Sequence, residues 1–149
     1  MRILRYGLAI LILLFISLTT LIGCAHFHQI NFLNEACIIP LKGYNYKTCK
    51  DIRVVIDGKN FIIPKDFETD LASIPRALWP ILAPQYTGFV APAILHDYLY
   101  RCNNHLSRKY ADEVLYSALI TEDVTPYTAS KFYAGVRLFG GSHYERGKC

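Results

Sequence analysis

The chain has 149 residues, 52% of them hydrophobic and 19% charged, with 16 Lys and Arg against 12 Asp and Glu. That length suits one domain around a single core. A net charge of +4, with no basic stripe interleaved with aromatics, gives no ground for a nucleic-acid partner.

At the N-terminus, Arg2 and Arg5 form a basic region and LAILILLFISL an apolar one, and the stretch closes at LIGC, with Gly23 before Cys24. A short apolar run closed by a small residue reads as a signal peptide rather than a membrane span. An uncleaved anchor helix is the alternative, because the apolar run reaches nearly to Cys24. The L-x-G-C ending resembles the lipobox of bacterial lipoproteins. The resemblance implies cleavage before Cys24 and acylation of that cysteine. Residues 1–23 are then a signal peptide, 24–35 a lipidated tether and 36–149 a single globular domain. Cleavage leaves 126 residues, and loss of Arg2 and Arg5 lowers the net charge to +2. Each buried acyl CH₂ contributes about 0.8 kcal/mol, so several chains on Cys24 hold the protein on membrane lipid. Ala25, rather than Asp, follows Cys24. By analogy with enteric sorting, the expected location is the periplasmic face of the outer membrane.

His26 and His28 fall in the tether. Two histidines without a third ligand nearby make a poor metal site, and both read as linker residues. Four further cysteines remain: Cys37, Cys49, Cys102 and Cys149. An even number in an exported domain suggests two disulfides, with three possible connectivities. Cys37–Cys49, closing a short loop, and Cys102–Cys149, tying the C-terminus to a helix, are favoured over the other pairings and over free buried thiols.

RVVIDGKNFIIP predicts a β-hairpin, because two β-branched runs flank Asp57-Gly58 and Pro64 stops the second strand. Another short strand fits residues 36–39. The pattern then becomes helical. Ser73 caps a short helix with Pro75 in its first turn, to about residue 82. Pro92 starts a helix to about residue 102. Ser107 caps one over 108–120, and Thr125-Pro126 opens another that Gly140-Gly141 closes. The expected class is α+β: a small β-hairpin or three-stranded sheet followed by three to four packed helices.

The helical stretch APAILHDYLYRCNNHLSRKYADEVLYSAL carries His96, Asp97 and Asp112 among residues that otherwise read as core. His96 and Tyr100, four apart, share a helix face, with Cβ atoms about 5–6 Å apart. The next helix follows after a short link and is expected to pack antiparallel, so that Asp112 can come level with the end of the first; whether it reaches His96 depends on how the link folds. A carboxylate on one imidazole nitrogen fixes the tautomer and raises basicity at the other, so His96 can take a proton from water. Asp97 is an oxygen ligand of the kind Ca²⁺ takes. Such an ion polarises an ester carbonyl.

A-x-x-H-D-x-x-Y, read as Ala93, His96, Asp97 and Tyr100, resembles the catalytic helix of secreted phospholipase A₂. A-D-x-x-L, at Ala111 to Leu115, is similar to the second helix of the compact forms of that enzyme in parvovirus capsids. The resemblance implies His96 as general base, Asp97 as Ca²⁺ ligand, Asp112 as the carboxylate that orients His96, and Tyr100 bonded to Asp112. The glycine-rich Ca²⁺ loop of that family is not legible here, since QYTGFVAP offers Gly88 alone. The cysteines flanking the family's His are also missing.

A longer pattern runs through FIIPKDFETDLASIPRALWP, APAILHDYLY and SRKYADEVLYSAL. It resembles an uncharacterised family of small phage and prophage proteins with F-x-T-D-x-A-S-x-P-R, then H-D-x-L-Y, then R-x-x-A-D. The match comprises Phe67, Thr69, Asp70, Ala72, Ser73, Pro75 and Arg76, then His96, Asp97, Leu99 and Tyr100, then Arg108, Ala111 and Asp112. It brings Asp70, Ser73 and Arg76 forward as neighbours of the site, with Asp70 a second metal candidate.

Each of these residues has a plainer reading. His96 and Asp112 can form a buried structural pair, with Asp97 facing solvent. Asp70 suits an Asx-turn or a helix entry. Ser73 suits an N-cap, since no G-x-S-x-G elbow surrounds it. Arg76 either meets a phosphate or carboxylate or covers a solvated helix face. Trp79, Phe89, Tyr98 and Tyr116 suit the core, and His143 the surface. Two functions follow: a lipid-anchored, calcium-dependent hydrolase of phospholipid esters, or a prophage-type envelope lipoprotein that binds a protein partner, for example in superinfection exclusion.

Overall fold

The computed structural model describes residues 25–43, 45–71, 87–102 and 105–145. The signal stretch, Cys24, the helix expected from Ser73, Arg76, Trp79 and Cys149 lie outside those residues.

The expected hairpin is β4 (Ile52–Ile56) and β5 (Lys59–Ile63), paired antiparallel with Ile56 opposite Lys59 and Ile52 opposite Ile63. Asp57 and Gly58 turn it with φ of 48° and 78°. Two consecutive positive φ values define the tight turn whose twist matches paired strands, which is why Asp-Gly occupies it. Ile52, Val54, Ile56 and Ile63 are fully buried, while Arg53 and Ile62 point outward, giving the alternation of a half-buried sheet. β1 (Ile30–Phe32), inside the stretch read as a tether, pairs with the other side of β4. The sheet order is thus β1-β4-β5.

A second antiparallel sheet has the order β2-β3-β6, from β2 (Ile38–Pro40), β3 (Tyr46–Thr48) and β6 (Glu68–Thr69). β2 falls close to the strand expected at 36–39. β1, β3 and β6 are new, and at two or three residues each they are too short to show a period. The expected Cys37–Cys49 disulfide joins the start of β2 to the end of β3, across 12 residues with Cα atoms 5.4 Å apart.

Among the described residues, three α-helices follow: α1 (Val90–Cys102), α2 (Arg108–Thr121) and α3 (Pro126–Phe139). α1 begins two residues before Pro92, from a 3₁₀ turn at Thr87–Phe89. Pro92 is tolerated in the first turn, where its missing N–H has no intrahelical partner to lose. Ser107 caps α2 through its hydroxyl, which accepts from the Tyr110 N–H at 3.1 Å. Thr125 accepts from Thr128 at the start of α3. The architecture is α+β. α1 is buried on two sides. Ile94, Leu95 and Leu99 pack with the sheet residues Ile52, Val54 and Ile63, while Ala93 joins Leu115, Leu119, Phe132 and Val136. That double burial explains the near-continuous apolar character of its sequence. No described helix is long and apolar enough to cross a membrane.

Replacing Cys37 and Cys49 together by Ser should cost about 3 kcal/mol in the chain-entropy treatment, roughly 10 °C in Tm. Thermal melts followed by circular dichroism measure this. An unchanged Tm would mean that pairing in the second sheet, and not the disulfide, holds that loop.

Candidate functional site

Asp112 lies in the second turn of α2 and is completely inaccessible to solvent. One carboxylate oxygen, Oδ1, lies 3.0 Å from His96 Nε2 and accepts the Tyr100 hydroxyl at 2.5 Å. The other, Oδ2, accepts from Arg137 Nη1 at 2.9 Å. The antiparallel packing of α1 and α2 makes the contact possible, so the expected meeting of His96, Tyr100 and Asp112 is realised in the geometry. The His96 and Tyr100 rings share a face of α1, with centroids 4.0 Å apart.

Burial pushes the Asp112 acid upward. The His96 hydrogen bond and charge, followed by the Tyr100 and Arg137 hydrogen bonds, outweigh it and hold the carboxyl below its usual 3.8. Burial, then the Asp112 charge, pushes the Tyr100 phenol far above its usual 10.0, so Tyr100 serves as a donor and not as a phenolate. Arg137 is held charged by its bond to Asp112. Because an ionised carboxylate only accepts, the proton on His96 is assigned to Nε2, and Nδ1 becomes the basic nitrogen.

Asp97 does not face solvent. It is 4% exposed and its Oδ2 accepts the Thr69 hydroxyl at 2.5 Å, while the Thr69 oxygen accepts the Leu71 N–H at 3.0 Å. This chain of bonds ties α1 to β6. Asp97 and Asp70, the two expected metal ligands, line one cavity of about 360 Å³ together with Glu68, Tyr100 and His143. Tyr100 therefore connects the buried network to the cavity. His96 itself is 2% exposed and is not among the lining residues. Among the described residues, no group of three or more His, Cys, Asp or Glu side chains is placed to hold a metal ion. Ser73 and Arg76, the other expected neighbours, lie outside the described residues. Cys102 is disulfide-bonded, and its expected partner Cys149 also lies outside them.

Sequence reasoning missed the groups that hold this network from α3 and beyond. Arg137 continues the buried stripe of Ala129, Phe132, Tyr133 and Val136, and a charge there was the available signal. Arg108 donates to the carbonyls of Val136 and Arg137 at 3.3 and 3.2 Å, closing the end of α3 beside the ion pair. Gly140 fits because a Cβ there would lie 2.7 Å from the Tyr100 hydroxyl. Tyr144 stacks edge-on against Tyr100 at 5.3 Å, and its own hydroxyl donates to the Leu106 carbonyl.

The Asp112 carboxyl titrates below its unfolded value, so its contribution is complete above about pH 4. It is lost as pH falls through the lower folded value. Asp112→Asn should cost about 3–5 kcal/mol at neutral pH, because it leaves Arg137 and His96 without their anion, and should flatten the acid limb of stability. Urea unfolding between pH 6 and pH 2 tests this. A variant as acid-sensitive as the wild type would place the acid lability elsewhere.

No curated protein and no solved structure matches the chain. Residues 46–136 match the family described as a protein of unknown function, DUF1353. The span runs from β3 through most of α3 and includes Asp70, His96, Asp97, Tyr100 and Asp112. It covers more than half of the chain, which therefore belongs to the DUF1353 family of proteins of unknown function.

Proposed function

We propose that the protein is a lipid-anchored hydrolase of phospholipid esters, held on the periplasmic face of the bacterial outer membrane through Cys24. The observation that carries this reading is the shared carboxylate. Asp112 engages His96 Nε2 and the Tyr100 hydroxyl on one oxygen, and the residue after His96 lines the adjoining cavity. This is the arrangement that the phospholipase A₂ resemblance implies for a base, its orienting acid and its tyrosine.

In this reading, His96 Nδ1 takes a proton from a water molecule as the water oxygen bonds to the ester carbonyl carbon. The C–O bond to the alcohol then breaks, and the departing oxygen takes the proton back from His96. Asp112 stabilises the intervening imidazolium, and Arg137 and Tyr100 keep Asp112 ionised and oriented. Calcium, which the resemblance implies, would polarise the carbonyl when bound. Asp97 and Asp70 are its nearest candidates, and no step above is routed through it.

A second reading has its own support. The near-complete burial of His96 and the three donors already on Asp112 suit a structural keystone. The protein is then a prophage-type envelope lipoprotein that binds a partner without catalysis.

Fatty-acid release from mixed phospholipid vesicles, with Ca²⁺ or with chelator, separates the two. Hydrolysis should fall by about 10²–10⁴ in His96→Ala, with the variant still folded. Calcium dependence would make Asp97 the next position to change. Absence of release under every condition, or a His96→Ala variant that melts far below the wild type, would favour the keystone and direct attention to an envelope partner.

A further inference from the structure

The β1-β4-β5 sheet buries one face, through Ile30, Ile52, Val54, Ile56 and Ile63. Directly paired residues of an antiparallel sheet point to the same side. Arg53 pairs with Ile62, and just beyond β1 the Leu33 N–H donates to the Arg53 carbonyl at 2.9 Å. Leu33, Arg53 and Ile62 therefore form a row across the three strands, on the side away from the core. Leu33 is 54% and Ile62 52% exposed, and Arg53 between them is exposed too. The neighbouring row is Asn31, Val55 and Asn60. Neither row contains a carboxylate. Scattered exposed aliphatic side chains need no explanation, but two that flank a cation in one row make an amphipathic face.

The chain that precedes β1 indicates what this face meets. Residues 8–22 contain no charged side chain, and both readings of that run, a lipobox or an uncleaved anchor, put residue 24 at a bilayer. Five residues, 25–29, join it to β1. This stem is pinned to the domain. The His26 amide donates to Glu113 Oε1 at 3.1 Å and the His28 amide to the Ser117 hydroxyl at 2.9 Å, both on α2, while the Gln29 amide donates to Asp57 Oδ1 at 2.9 Å. The bilayer is thus held at one end of β1, where Phe27 is 54% exposed. At about 3.3 Å per residue, Leu33 lies roughly 20 Å further along the strand. A domain attached at one end swings unless a second contact stops it, and the Leu33–Arg53–Ile62 row is placed to make that contact.

We propose that the outer face of the β1-β4-β5 sheet lies on the phospholipid surface, with Leu33 and Ile62 entering the boundary between headgroups and acyl chains and Arg53 meeting lipid phosphates. This rests on the membrane anchoring in the function proposed above and not on hydrolysis. A guanidinium matches phosphate with two parallel hydrogen bonds, and its aliphatic stem tolerates apolar neighbours while its head reaches the polar layer. The absence of carboxylates from both rows leaves nothing on them to repel anionic lipid.

The test is tryptophan quenching by brominated phospholipid, in vesicles of phosphatidylethanolamine and phosphatidylglycerol that carry the full chain as purified from membranes. Trp79 is the one native tryptophan, and the wild type supplies its background. Ile62→Trp should be quenched roughly twofold beyond that background, as expected of a side chain about 5–10 Å into the headgroup boundary. Tyr127→Trp should add no quenching, because Tyr127, although 72% exposed, lies on α3, whose buried residues belong to the core cluster without strand residues. Adding Leu33→Asp to Ile62→Trp should return quenching to background, with circular dichroism unchanged, and adding Tyr127→Asp should not. If Ile62→Trp is quenched no more than Tyr127→Trp in a chain that floats with the vesicles, the membrane face is overturned and the anchor stands. A chain that does not float overturns the anchor and the membrane face together. Emission from Ile62→Trp that follows protein density and not bromination assigns the face to a second copy, which also overturns it.

Discussion

A fully buried carboxylate persists only where donors replace the water it has lost, because desolvating an unpaired charge costs several kcal/mol. Asp112 meets that condition with groups from all three described α-helices: it belongs to α2, His96 and Tyr100 come from α1, and Arg137 comes from α3. The three helices therefore cannot slide or rotate independently without uncovering an anion. The details around it follow. Gly140 leaves room for the Tyr100 hydroxyl, and Arg108 closes the α3 carbonyls beside Arg137.

α1 is the common member of every layer. Its apolar residues serve both cores, and His96, Asp97, Tyr100 and Arg101 each hold a polar partner. Asp97 accepts from Thr69. Arg101 donates to the Glu68 carbonyl and lies over the Phe67 ring at 4.5 Å. These contacts bind the second sheet to the helices and form one wall of the cavity that holds Asp70. Scaffold and candidate site are consequently the same atoms. The catalytic and structural readings agree on where His96 sits and differ on whether its Nδ1 meets water and an ester.

The hairpin was legible because Asp57-Gly58 imposes a turn and β-branched runs impose alternation, both local effects. The caps at Ser107 and Thr125 were legible for the same reason. His96, Tyr100 and Asp112 were legible as a group because helical spacing and a short link leave few ways to pack two consecutive helices. Asp97 was read as solvent-facing in its plainer role, and its burial depends on Thr69, 28 residues away. Arg137 depends on a third helix crossing beside the first two. His28 read as a linker residue, because the Asp57, Glu113 and Ser117 that enclose it come from distant parts of the chain.

By itself, the sequence determined the α+β class, the hairpin and the approximate limits of the later helices, and it favoured the Cys37–Cys49 bridge and an Asp112 level with the end of α1 without fixing either contact. Each rests on short-range geometry or on neighbours joined by a few residues. Tertiary structure alone decided the three short strands β1, β3 and β6, the Arg137 donor, the Asp97–Thr69 tie and the burial of His28. In these cases the free energy comes from contacts between elements far apart in the chain. No local periodicity encodes them.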